Sequence, residues 1–225
     1  MSFLDRAVTI FLKDLALEVR TRDILVSSVL FSLMMVLIAS FAVDPALAVK
    51  GGAVGGLLWM TLLFSSALTL GKGMALEREN GSLELLLTVP GDRAAIFLGK
   101  AAANAVFVMA TAAIVIPVFG ILFHMDLWAL VPPLALVVVL GSMSIAGPGT
   151  LVAVIVGQTR ARDTLLPLLH FPLEVPALIA SVEVTRAIFL GKGLADQMLW
   201  INVLAAFDIV FWTVSAALFD KLMEG

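Results

Sequence analysis

The chain has 225 residues, 61% of them hydrophobic and 14% charged, with a net charge of −3 and a mean hydropathy of +1.11. Soluble domains carry about 25% charged residues, so this composition belongs to an integral membrane protein, and the charge argues against a nucleic-acid partner. The chain has no cysteine, which removes disulfides, thiolate metal sites and cysteine nucleophiles.

Residues 3–20 predict an amphipathic helix within an interfacial segment, 1–22. At 100° per residue Leu4, Val8, Phe11, Leu12, Leu15 and Val19 share one face, and Arg6, Lys13 and Arg20 recur opposite them. Such a helix lies in the headgroup plane with its leucines toward lipid. It serves either as an anchor or as a lever that ties the first span to something moving beside the membrane.

Six windows then offer the roughly 20 apolar residues that a spanning helix needs. They fall at about 24–43, 51–71, 95–123, 127–157, 164–182 and 198–219. The first, with seven charges in the segment before it, does not read as a cleavable signal peptide. The second opens on Gly51, Gly52, Gly55 and Gly56, a spacing that suits close helix approach, more within the subunit than between copies. The fourth holds Gly147–Pro148–Gly149, read as a break. The fifth holds Pro167, Pro172 and Pro176, expected to bend or break its helix. The stretch 182–197 reads as a short external helix. Eleven Lys and Arg lie on the side of the amino-terminal segment, of the loop between spans two and three, and of the carboxyl terminus, and three lie opposite. The positive-inside rule therefore places both termini in the cytoplasm.

Between spans two and three the chain reads "MALERENGSLELLLTVPGDRAAIFLGK", residues 74–100. Asn80–Gly81 is a turn, Ser82 can cap a helix and Glu84 then lies near its positive end. Pro90–Gly91–Asp92 stops it, so the loop 74–93 predicts a short cytoplasmic helix at about 82–89. Its leucines point several ways, with Glu77, Arg78, Glu79 and Asp92 around them. That suits docking into another protein's groove, or a helix resting on lipid.

This stretch resembles the pattern of ABC-2-type export permeases: an acid, a Gly–Ser/Thr–Leu–Glu–x–Leu–Leu core, a Pro, a basic residue, then Gly–Lys. Glu79, Gly81, Ser82, Leu83, Glu84, Leu85, Leu86, Pro90, Arg93, Gly99 and Lys100 stand at those places. Within that group, the short length and the block "GPGTLVAVIVGQTRARDTLLPLLHFPLEVPALI" are similar to the cytochrome c maturation permease family, CcmB. The resemblance implies one all-α transmembrane domain over 1–225, with six spans and a coupling helix docked on a separate cytoplasmic ATPase. It further implies a bacterial or organellar inner membrane and a haem-handling membrane subunit and a small membrane subunit as partners. Haem, or a haem-loaded chaperone, would be what is moved or released.

The chain itself has no nucleotide-binding loop, since its Gly–Lys pairs lack the phosphate-loop spacing. ATP would thus be bound by the partner, and no catalytic, cofactor or metal residues are assigned. His170, Glu174 and Asp208 fall inside apolar windows, where ionisable residues face a cavity, a partner or the bundle interior. His170 and Glu174 are four apart and share a helical face. They form either a polar patch toward substrate or another subunit, or a hydrogen-bonded interior pair. Trp59, Trp128, Trp200 and Trp212 are scattered and read as interface anchors or packing residues. Other cargoes (a lipid, a polysaccharide, a drug) fit the same layout, as does a non-transporting scaffold. A proton-coupled secondary transporter is the reading that needs no ATPase.

Overall fold

A computed structural model describes residues 2–44, 46, 48–49, 52–79, 92–127, 130–157 and 159–222. Helix α1, Phe3–Thr21, begins at a capping box. The Ser2 hydroxyl accepts from the Asp5 N–H at 3.2 Å, and the Asp5 carboxylate accepts from the Ser2 N–H at 3.0 Å. Hydrogen bonding of the carboxyl with the Ser2 hydroxyl, and then with the Ser2 N–H, holds Asp5 below its ordinary range. A single residue, Arg22, in the left-handed region at φ 57°, joins α1 to α2, Asp23–Ala42. The buried Glu18 carboxylate bridges this elbow by accepting from the N–H groups of Ile24 at 3.4 Å and Leu25 at 2.7 Å. It satisfies two of the donors that every helix start leaves open.

Four long helices follow: α3, Ala53–Glu79; α4, Arg93–Leu122; α5, Val131–Gly157; and α6, Arg162–Phe189. A short 3₁₀ turn, Leu194–Gln197, leads into α7, Met198–Leu222. Six helices, α2 to α7, are long and apolar enough to cross a membrane, as the sequence predicts for a multi-pass membrane protein. No strand occurs among the described residues. At 1.5 Å per residue α3 and α4 are about 40 and 45 Å long, more than the roughly 30 Å of a hydrocarbon core. Each is therefore long enough to cross with turns to spare.

Helix α5 is the hub, packed on α3, α4, α6 and α7. It is the most buried of the spans, while α2 and α7 are the least. The main apolar core gathers Leu58, Trp59 and Leu62 of α3, Val115 and Phe119 of α4, and Val137 of α5. A second cluster at the loop end joins Ile10 of α1 to Ile96, Phe97 and Ala101 of α4 and Phe219 of α7. Gly55 packs against the backbone of Val182 and the side chain of Thr185 on α6. The glycine-rich start of α3 thus serves contact within the chain.

Three expectations are corrected. Of the bend or break expected in α6, the break is absent: the helix is continuous through Pro167, Pro172 and Pro176. Inside a bundle, neighbouring helices, hydroxyls and local adjustment can absorb the lost N–H donors. For the same reason α5 continues through Gly147–Pro148–Gly149. Residues 182–189 extend α6 instead of starting a separate helix, and the 3₁₀ turn Leu194–Gln197 follows before α7.

Candidate functional site

The sequence points to the loop between α3 and α4. Asn80–Gly91, and with them Gly81, Ser82, Leu83, Glu84, Leu85, Leu86 and Pro90, lie outside the described residues, as do the side chains of Arg78 and Glu79. The two roots of the loop are described. Asp92 caps α4 by accepting from the Ala94 N–H at 3.0 Å, and Arg93 opens the helix. Two turns further in, the Lys100 ammonium pairs with Glu77 at the end of α3 and lies 3.6 Å from Asp14 of α1. Lys13 closes the group, 2.9 Å from Asp14 and 3.8 Å from Glu77. The Lys100 side chain is only 5% exposed, so its charge is answered by protein carboxylates in place of water.

Gly99 explains how α1 comes so near. A Cβ at this position would lie 2.6 Å from the Ala7 carbonyl oxygen and 2.9 Å from Ile10 Cβ. Only a bare Cα lets the two helices touch, and that contact brings Asp14 within reach of Lys100. Residues Ile10, Asp14 and Glu18, spaced by four, form the stripe of α1 that faces the protein. Leu4, Val8, Leu12 and Val19 stay exposed on the outside, where lipid would meet them. Helix α1 therefore has an inward stripe that the two-faced reading missed. Its signal, two acids and an isoleucine at i, i+4 and i+8, is present in the sequence between the leucine and arginine faces. A small cavity beneath the ion pairs is lined by Asp14, Glu18, Glu77, Lys100, Asn104 and Thr150.

The second predicted group lies in the bundle interior. Because α6 is continuous, His170 Nδ1 sits 3.5 Å from Glu174 Oε1, and Ser66 Oγ of α3 sits 3.5 Å from His170 Nε2. The imidazole fits because Gly149 of α5 has no Cβ, which would come within 2.8 Å of the ring. On α7, Asp208 Oδ1 accepts from the Ser144 hydroxyl of α5 at 2.7 Å. All three residues are buried. Neither Glu174 oxygen, nor Asp208 Oδ2, has a hydrogen-bond partner among the described residues. Structure thus brings together His170 and Glu174, as their spacing implies. Among the described residues no group of three or more His, Cys, Asp or Glu side chains is arranged to hold a metal ion.

Hydroxyls knit the spans around this group. Ser28 of α2 and Thr111 of α4 lie 3.1 Å apart, and Ser65 of α3 donates to the Ser28 carbonyl at 3.0 Å. Two tryptophans serve packing: Trp59 Nε1 donates to Thr185 at 2.8 Å and Trp212 Nε1 to the Met143 carbonyl at 3.0 Å. Trp128 lies outside the described residues.

Comparison with known proteins gives a consistent result. Residues 5–221 match the family described as CcmB protein. The chain is 32% identical over 200 residues to a heme exporter protein B of Paracoccus denitrificans, covering 89% of this chain and 90% of that one. Against heme exporter protein B of Rhodobacter capsulatus it is 31% identical over 178 residues, 77% of this chain and 79% of the other. The Bradyrhizobium diazoefficiens protein of the same name is 27% identical over 179 residues, 80% of each chain. A match that runs from α1 into the last turns of α7 takes in the whole helical bundle, and the chain belongs to the CcmB family.

Proposed function

We propose that this chain is the membrane permease subunit of an ATP-driven complex in cytochrome c maturation. The observation that carries the proposal is its kinship, along most of its length, with proteins named heme exporter protein B. In this reading the chain binds no nucleotide and performs no chemistry of its own. A separate ATPase docks on the loop 74–93, with Leu83, Leu85 and Leu86 as its apolar contacts and Glu77, Arg78, Glu79 and Asp92 around them. The lysine and arginine distribution orients that loop and both termini toward the cytoplasm, in a bacterial or organellar inner membrane. Haem is cargo here, with no resident site assigned. Either haem itself or a haem-loaded chaperone is moved or released, alongside a haem-handling membrane subunit and a small one.

The geometry supports a mechanical role. A partner that displaces the loop acts on the ends of α3 and α4, each a continuous helix that crosses the bundle and packs on α5. Packed helices move as units and not as deformable rods. Displacement at the loop would thus reach the interior group of His170, Glu174 and Asp208 through α3 and α5, which hold Ser66 and Ser144 against it.

A haem stain for covalently attached c-type cytochromes tests the function. Cells lacking the gene should lose the stained bands, and restoring the gene should return them. Bands that survive deletion in cells with no second maturation system would overturn the assignment and leave an ABC-2 exporter of another cargo.

A further inference from the structure

We infer that Asp14, Glu77 and Lys100 form an ionic latch that fastens α1 to both roots of the coupling loop, making α2 a third helix driven by the ATPase. The inference rests on the permease reading and adds a route by which force enters. Three observations carry it.

The first is the reach of the ion pairs. One buried ammonium meets a carboxylate from α3 and another from α1 while itself belonging to α4. The apolar contacts of Ile10 with Ile96 and Phe97 would hold α1 to α4 alone. The charges add α3, so α1 touches both helices between which the loop hangs. The second is the elbow. Only Arg22 separates α1 from α2, and the Glu18 carboxylate binds the first N–H groups of α2. A tilt of α1 therefore cannot be absorbed by a slack linker before it reaches α2. A further tether runs from Lys72 of α3 to α2, 3.2 Å from Asp23 Oδ1 and 2.5 Å from Ser27 Oγ. The third is the outer face of α1, whose leucines and valines are exposed, where lipid would meet them. Lipid is fluid and offers little resistance to sliding in the interface plane.

Lys100 is thus a positioning residue, and the Gly99–Lys100 pair has a physical role. The glycine admits α1, and the lysine holds it.

The absence of cysteine allows a clean test in the complete complex. Ile10→Cys places a lone thiol in the buried joint, and Phe41→Cys, in a separate chain, places one on the exposed far end of α2. Asp14→Asn, made in a chain that also carries Lys13→Gln to remove the 3.8 Å approach of Lys13 to Glu77, cuts the α1 arm while Lys100 keeps Glu77. It should raise labelling of the Ile10→Cys thiol by N-ethylmaleimide about tenfold, since a docked segment then opens more often. It should also abolish the ATP-dependent change of a fluorophore on the Phe41→Cys thiol, with the ATPase still bound and hydrolysing ATP. The conservative change Asp14→Glu, which keeps a carboxylate for Lys100 and leaves Glu77 paired, should keep both signals near the parental ones. Unchanged labelling in Asp14→Asn overturns the latch. So does an Asp14→Glu chain that inserts at parental abundance yet behaves as Asp14→Asn. An ATP response that persists in Asp14→Asn, one absent from the parent chain, or loss of the ATPase would overturn transmission. Neither reporter needs haem, so a failure here leaves the cytochrome stain free to support the function, and the reverse holds too.

Discussion

Two clusters of ionisable side chains, one at the loop end and one in the interior, meet burial in opposite ways. At the loop end, Lys13 and Lys100 face Asp14 and Glu77, two bases against two acids. In the interior, Glu174 and Asp208 have no lysine or arginine among their described partners; a histidine and the hydroxyl of Ser144 attend them. Ions can be held in a poorly solvated place only by other ions and good hydrogen bonds. A group attended by hydroxyls and an imidazole tolerates a neutral substitute. The joint is therefore built to hold three elements in one arrangement, whereas the interior group is built without fixed pairing. That difference fits a joint that transmits and an interior that rearranges.

The comparison can be broken by substitution. Lys100→Met should be the most damaging change, because it leaves Asp14 and Glu77 facing each other with only Lys13 between them. Removing one partner of a buried pair costs about 3–5 kcal/mol, and the loss should appear as a lower melting temperature of the purified chain. Gly99→Val should cost about 1–3 kcal/mol through overpacking of α1 on α4, and it should loosen α1 in limited proteolysis while the rest of the bundle stays protected. Glu174→Gln keeps the volume and removes no lysine or arginine partner, so thermal stability should change by less than about 1 kcal/mol. A collapse of that variant would mean that the interior carboxylate is held by an ion pair, and the contrast with the joint would fail. Gly56→Ala meets nothing within 4 Å and should fall within about 0.5 kcal/mol of the parent.

Much of this was legible in the sequence, and the misses have physical causes. Span α2 ends within a residue of its apolar window on either side, because Arg22–Thr21 and Asp44 bound it sharply. Helix α3 outruns its window by eight residues. Hydropathy falls at Lys72, but Met74, Ala75, Leu76 and Glu77 are strong helix formers and continue the helix. The prolines of α6 mislead because the rule for isolated helices omits the neighbours that stabilise a bundled one. The pairing of His170 with Glu174 was readable from spacing alone. The inward stripe of α1 was not, because which face meets protein depends on Gly99 and Lys100, some 90 residues away in sequence. Lys100 itself was visible as part of a motif and as a positive charge, but nothing local names Asp14 as its partner.

The proposed docking of an ATPase on the loop 74–93 is tested most directly by co-purification of that ATPase with a chain carrying Leu85→Asp and Leu86→Asp, which change only the loop. The expected result is normal insertion and abundance, with the ATPase lost from the purified complex and c-type cytochrome staining gone. An ATPase that remains bound and fully active on that variant would show that it does not dock on this loop.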